Sequence, residues 1–348
     1  MVASSLPHFP VTSVGSWPRP AWLLDAMKRR RPSLREVMDR AVLHSLEQQE
    51  RAGADLVTDG EQRRDNFYSF LCDKLDGLKL MSMADLLEHV EDKAGFEALL
   101  QTLDVPASSI RNPTVVGKLR PKAPLVLDDF KFLRAHTKKA IKVTLPGPYL
   151  LSRSMWVKSL SESAYPTRAS LIDDLVRILR DELFELARAG AEMVQFDEPV
   201  LTEPDLAVDL INRVVDGVPD STITGLHVCR GSYATLFPYF RRMKVRQFVL
   251  EYAAERAGST DALKELPPGA QVGLGAVNPR TSEIEPAELV ASRARRVADL
   301  LGHDGPQRVF LNPDCGFGTF AERPVNSALV AERKLAALVA GARLLRGG

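Results

Sequence analysis

The chain has 348 residues, 45% hydrophobic and 26% charged, with a formal net charge of +1. That is the profile of a soluble globular chain with core enough for one large domain or two ordinary ones. Near neutrality argues against a nucleic-acid partner or a membrane surface. The first seven residues lack the basic start and apolar stretch of a secretory signal, and no uncharged apolar run is long enough to span a bilayer. Three cysteines, Cys72, Cys229 and Cys315, are too few for a disulfide framework, so a reducing cytoplasmic setting is expected.

Short apolar runs alternate with helical patterns, which predicts parallel βα units. In chain order the predicted strands are 11–14, 54–58, 141–145, 192–196, 222–228, 247–250, 271–274 and 308–311. Helical patterns cover 33–52, 168–189, 204–215, 234–243, 261–266, 284–301 and 326–346, and Gly53 and Gly190 act as stops. The stretch between the second and third strands, about 62–140, is far longer than an ordinary βα connection. It is expected to be an insertion over the active-site mouth, with a helix at 83–103. A hairpin is expected to pair 115–117 with 125–127 around Arg120-Pro121-Lys122.

Eight such units at this length predict a single (β/α)8 TIM barrel over 1–348, in preference to an open doubly wound sheet. The polar groups at the strand ends favour closure. They are Gly15-Ser16, Asp59-Gly60-Glu61, Asp197-Glu198-Pro199, His227-Val228-Cys229, Glu251-Tyr252, Asn278-Pro279-Arg280 and Asp314-Cys315. A barrel gathers these ends at one mouth, whereas an open sheet spreads them along an edge.

His227 and Cys229 sit two apart on a strand and therefore face the same way. Cys315 ends another strand, and Glu251 follows a third, with Glu255 and Asp314 as competing carboxylates. Two thiolates, an imidazole and a carboxylate suit zinc. Ligands this widely spaced match no zinc finger, and a structural ion favours clustered cysteines, so a catalytic ion that binds a thiol is the better reading. Glu61 and Asp197 are placed to take an ammonium group by charge-assisted hydrogen bonds. Gly15 and Ser16 are placed to present N–H and hydroxyl groups to a carboxylate. One of Asp197 and Glu198 is expected to cap the next helix instead.

The strings Val14-Gly15-Ser16-Trp17-Pro18, Asp59-Gly60-Glu61, Gln195-Phe196-Asp197-Glu198-Pro199, His227-Val228-Cys229 and Asn312-Pro313-Asp314-Cys315-Gly316 together resemble cobalamin-independent methionine synthase. The likeness is to its C-terminal catalytic barrel, and it runs from Val11 to about Cys315. It implies a barrel of the superfamily that also holds uroporphyrinogen decarboxylase. It further implies zinc on His227, Cys229, Glu251 and Cys315, and homocysteine or methionine held by Ser16, Glu61 and Asp197, with Glu203 assisting. The implied reaction activates the homocysteine thiol as a zinc thiolate and methylates it to methionine, with Glu61 and Asp197 as catalytic carboxylates. The donor is a methyl-folate or a methyl-corrinoid, the latter on a corrinoid or accessory protein. The alternatives are alkylation of another thiol, such as coenzyme M, and a zinc-stabilised subunit without activity.

Two departures concern the donor. The length leaves no room for the second, N-terminal barrel that helps full-length members bind polyglutamylated methyl-folate. The family's Asp-Ile-His after the seventh strand is replaced by Asn278-Pro279-Arg280, and a basic pair after the last cysteine by Gly318-Thr319-Phe320. Lys118, Arg120 and Lys122 in the insertion are candidate replacements.

Overall fold

The computed structural model describes residues 6–29, 32–89, 93, 111–229, 233–254 and 258–347. Its strands are β1 (Leu56–Val57), β2 (Leu75–Ser82), β3 (Arg111–Pro121), β4 (Ala140–Pro146), β5 (Met193–Asp197), β6 (Ile223–Val228), β7 (Gln247–Glu251), β8 (Gln271–Val277) and β9 (Val309–Pro313). Seven of them form one sheet in the order β1-β4-β5-β6-β7-β8-β9, every pair parallel. Val11 closes the ring. It bridges Leu311 of β9 in parallel, and its carbonyl accepts from Asp55 and Leu56 N–H at 2.9 and 3.1 Å. The predicted first strand is therefore a single bridge, because Pro10 offers a carbonyl to Leu311 but has no N–H to extend the ladder.

Strand alternation divides the core into two layers. Ile141, Val143 and Leu145 of β4 face the helices, as do Phe248 and Leu250 of β7. The inward set Val14, Leu56, Met193, Ile223, Val249 and Phe310 plugs the interior where β1, β5 and β6 begin. Nearer the other end the inward residues turn polar. The outer layer comes from amphipathic helices such as Arg168–Arg188, which buries Leu171, Leu175, Leu179, Leu183 and Leu186 and starts in a Thr167/Ser170 capping box.

The stretch between β1 and β4 differs from expectation. Its hairpin pairs β2 with β3 in antiparallel register, from Leu75↔Pro121 to Ser82↔Arg111, instead of 115–117 with 125–127. Leu125, Val126 and Leu127 cannot join a ladder because the buried Glu182 carboxylate accepts all three of their N–H groups, at 2.9, 2.6 and 2.8 Å. That carboxylate caps the start of a helix, Leu127–Arg134. The helix expected at 83–103 is seen as Met83–Leu87; residues 90–92 and 94–103 lie outside the described residues. The helix expected at 234–243 is reduced to Phe237–Phe240 with a 3-10 turn before it, and the one expected at 261–266 is a 3-10 helix, Thr260–Glu265. Among the described residues no helix is long and apolar enough to cross a membrane.

Candidate metal and substrate site

His227 is the penultimate residue of β6 and points into the barrel mouth, and Cys229 follows the strand on the same face. The His227 Nδ1 lies 3.1 Å from the Val249 carbonyl. That contact places the ring proton on Nδ1 and leaves Nε2 as a bare lone pair. Nε2 is buried and has no hydrogen-bond partner among the described residues. The sulfurs of Cys229 and Cys315 are 3.9 Å apart. All three donor atoms lie within 4.8 Å of one another, so the group could hold a metal ion. An orphaned buried nitrogen beside two thiols is otherwise a costly arrangement, and a thiophilic cation satisfies all three atoms at once.

The electrostatics suit a cation. The proton shared with Cys229 and the nearby imidazole of His227 hold the Cys315 thiol well below its ordinary range, against burial. Cys229 is raised, chiefly by that shared proton and then by burial. Burial disfavours the His227 imidazolium, yet Cys315 and Asp197 move its pKa net upward.

Glu251 ends β7 and is fully buried, but its carboxylate does not join the trio within that distance. Its Oε2 lies 3.3 Å from Arg280 Nη1. The Tyr233 hydroxyl ties the ligand-bearing strand ends together, accepting from Glu251 N–H at 3.0 Å and donating to the Val228 carbonyl at 2.8 Å. Asp314, the competing carboxylate, is committed elsewhere. It accepts from the N–H groups of Tyr252, Ala253 and Ala254 at 2.9, 2.9 and 2.8 Å and thereby shapes the loop after β7. Burial pushes its carboxyl up to about 7. Glu255 lies outside the described residues.

The acids stand beside this group. Asp197 ends β5 and is the register partner of His227. Its Oδ1 accepts from Gln195 Nε2 at 2.7 Å. Glu61 has a φ of 54°, a left-handed conformation uncommon outside glycine and a sign of backbone strain held for function. Its N–H donates to Asp59 Oδ1 at 2.9 Å, and its carbonyl accepts from Arg19 at 2.6 Å. Arg19, fully buried, also reaches the Arg64 and Gly318 carbonyls, so one guanidinium braces loops from both ends of the chain. Thr144 donates to Glu61 Oε1 at 3.2 Å, while Oε2 is buried with no partner among the described residues. Burial raises the Glu61 carboxyl to about 7, with Arg64 and Arg19 opposing and Asp197 adding.

Gly15 is dictated by this packing, since a Cβ there would lie 2.6 Å from Glu61 Oε1 and 2.8 Å from Thr144 Cγ2. Ser16 touches the loop that carries Cys315. Its carbonyl accepts from Phe317 N–H at 3.0 Å and its Oγ from Gly318 N–H at 3.3 Å, and a Cβ on Gly316 would overlap that Oγ. Glu198 is a capping residue, though of an earlier helix and not of the next one, Pro204–Val215. It accepts from Tyr149 and Leu150 N–H at 2.7 and 2.8 Å, capping the helix Pro148–Met155 after β4. Glu203 stands apart, exposed and paired with Arg168 at 2.9 Å.

Sequence reasoning passed over Thr144, Arg19, Gln195 and Lys142. The available signal was Lys142 and Thr144 alternating with apolar residues in a parallel strand, where polar side chains must face a polar interior. Lys142 is buried, 3.2 Å from Gln195 Oε1, and burial lowers its pKa to about 7 against the pull of Asp197 and Glu61. A groove of about 660 Å³ between helices Ala287–Leu301 and Ala328–Arg346 contains none of these groups.

Comparison with known proteins identifies the family. Residues 9–338 match the family model described as cobalamin-independent synthase, catalytic domain. A methionine synthase of Saccharolobus solfataricus is 29% identical over 99% of this chain and 96% of its own length. One from Thermococcus kodakarensis is 33% identical over 98% and 94%. Among solved structures, a B12-independent methionine synthase from Shewanella sp. W3-18-1, in complex with selenomethionine, superposes with a TM-score of 0.78. It shares 26% identity over 97% of this chain and 98% of that one. The chain therefore belongs to the cobalamin-independent methionine synthase family, a family of methyltransferases, and matches its catalytic domain.

Proposed function

We propose that this chain methylates the thiol of homocysteine to give methionine, with zinc held by His227, Cys229 and Cys315 and Glu251 as the fourth donor. The observation that carries the reading is the position of the three-donor group one strand away from Asp197, with the buried Glu61 Oε2 left without a partner among the described residues. The donor set fits zinc, since two sulfurs and an imidazole select a thiophilic ion of tetrahedral habit. When bound, zinc supplies the Lewis acidity that makes a thiol ionise near neutral pH. Glu251 has Arg280 as an alternative partner at 3.3 Å, so its carboxylate has a place to rest away from the ion.

The chain's own residues do the holding. Glu61 and Asp197 take the substrate ammonium through charge-assisted hydrogen bonds, and the Gly15-Ser16 segment receives the carboxylate. With both ends of the amino acid fixed, its sulfur has one direction to approach from, and positioning of this kind supplies much of the rate of a bimolecular transfer. A thiol acceptor without an amino group, such as coenzyme M, leaves two buried carboxylates without a partner, which disfavours that reading. The test is methionine formation from L-homocysteine by the purified zinc-loaded protein, supplied separately with methyl-folate and methylcobalamin. No methionine with either donor overturns the proposal.

A further inference from the structure

Lys142 is an unusual residue for a barrel interior. It is 1% exposed, so its ammonium has lost nearly all contact with water. Among the described residues no carboxylate oxygen lies within ion-pair distance of it. Its hydrogen bond runs instead to Gln195 Oε1, at 3.2 Å. Gln195 in turn spends its amide nitrogen on Asp197 Oδ1 at 2.7 Å and on the Val14 carbonyl at 3.1 Å. Three side chains from two adjacent strands thus form one line, from ammonium through amide to carboxylate.

We infer that Lys142 is a positioning residue for the amino group of the substrate, acting on Asp197 through the side chain of Gln195. In its protonated form Lys142 polarises the amide through the oxygen and strengthens the N–H that the amide donates. That N–H pins Asp197 Oδ1, so the second oxygen of Asp197 keeps a fixed direction. The same buried positive charge offsets the cost of keeping Asp197 and Glu61 anionic side by side before an ammonium arrives. Neither Lys142 nor Gln195 hydrogen-bonds His227, Cys229 or Cys315 among the described residues, so the two act on the metal end only through Asp197. Lys142 therefore tunes discrimination between thiols that carry an α-amino group and thiols that do not.

The inference rests on the reading that Asp197 holds the substrate ammonium, and the experiment separates the two. Dissociation constants for L-homocysteine and for 4-sulfanylbutanoate, the same thiol without the amino group, are measured by calorimetry on zinc-loaded wild type, Lys142→Met, Gln195→Met and the double variant. Metal content and melting temperature check folding. Each single variant is expected to weaken homocysteine about tenfold, as for loss of one charge-assisted hydrogen bond, and to leave 4-sulfanylbutanoate unchanged. The double variant is expected to be no weaker than the weaker single one, because both break the same line. Gln195→Met carries the test alone if Lys142→Met does not fold. Equal weakening of both thiols, or unchanged homocysteine binding, overturns the inference and leaves the proposed function standing. A wild type that binds the two thiols alike overturns both.

Discussion

Asp197 and His227 are register partners across β5 and β6. The proposed ammonium anchor and the candidate metal ligand therefore share one rung of the barrel, about 4.8 Å apart from strand to strand. The four bonds from nitrogen to sulfur in homocysteine span a comparable distance. Barrel register thus places the proposed anchors for the two ends of the substrate on neighbouring strands.

Metal binding should depend on two cysteines and ignore the third. Cys229→Ser and Cys315→Ser are each expected to lose the bound zinc, read by elemental analysis of the purified proteins. Cys72→Ser should retain it, since Cys72 is half-buried beside the hairpin and burial pushes its thiol up to about 11. In metal-free protein, iodoacetamide should modify Cys315, whose thiol is held well below its ordinary range, before Cys72, whose thiol burial raises. Full zinc content in both serine variants would falsify the assignment.

Glu61 should set a pH dependence of its own. Its folded pKa of about 7 lies above the ordinary 4.5, because burial favours the neutral carboxyl. Only the ionised form attracts an ammonium, so the part of the methionine affinity that Glu61 supplies, read as wild type against Glu61→Gln, should grow between pH 6 and 8. Glu61→Gln should bind weakly throughout that range. Stability runs the other way: a raised acid pKa means that stability present below pH 4.5 is lost as pH climbs through about 7. Glu61→Gln should then melt higher than wild type at pH 8, by up to about 3 kcal/mol from the size of the shift, and match it near pH 4. Equal melting at both pH values would contradict the burial argument.

Gly15→Ala tests the packing of the acid. The added methyl would meet Glu61 Oε1 at 2.6 Å and Thr144 Cγ2 at 2.8 Å, so one of these buried side chains must shift. An overpacking cost of about 1–3 kcal/mol is expected in denaturant unfolding, together with a large loss of methionine affinity. Metal content should not change, because Gly15 touches no ligand. Unchanged methionine affinity would mean that Glu61 is not held where substrate binds.

The barrel and the ends of its strands were legible because each strand is a short apolar run that stops at a polar group. His227, Cys229 and Cys315 could be found that way, since chemically distinctive residues at strand ends converge once the ring closes. The hairpin was misjudged because Leu125, Val126 and Leu127 look like a strand until Glu182, far along the chain, takes their N–H groups. Lys142 and Arg19 escaped notice for a related reason. A lone basic residue in an apolar stretch gives no hint of its partners, and the contacts that define it, to Gln195 and to the Glu61 and Gly318 carbonyls, are all made across the fold.

The methyl donor is the last point the site bears on. A methyl-folate leaves as an amine that needs a proton in the transition state, whereas a corrinoid leaving group needs none. Arg280 occupies the segment where a histidine would supply that proton, and a guanidinium does not release one in this pH range. It is also engaged, with Nη1 3.3 Å from Glu251. Of the basic candidates in the insertion, Lys118 of β3 lies 3.9 Å over the Tyr165 ring, and Lys122, just after β3, reaches the Cys72 carbonyl at 3.2 Å. The isolated protein is therefore expected to turn over monoglutamyl methyl-folate slowly and methylcobalamin faster, in steady-state assays at equal donor concentration. Arg280→His should raise the folate rate selectively, toward an optimum where half of the new imidazole is protonated. Efficient methyl-folate turnover by the unaltered chain would show that another group donates the proton, and Arg280→His would then bring no gain.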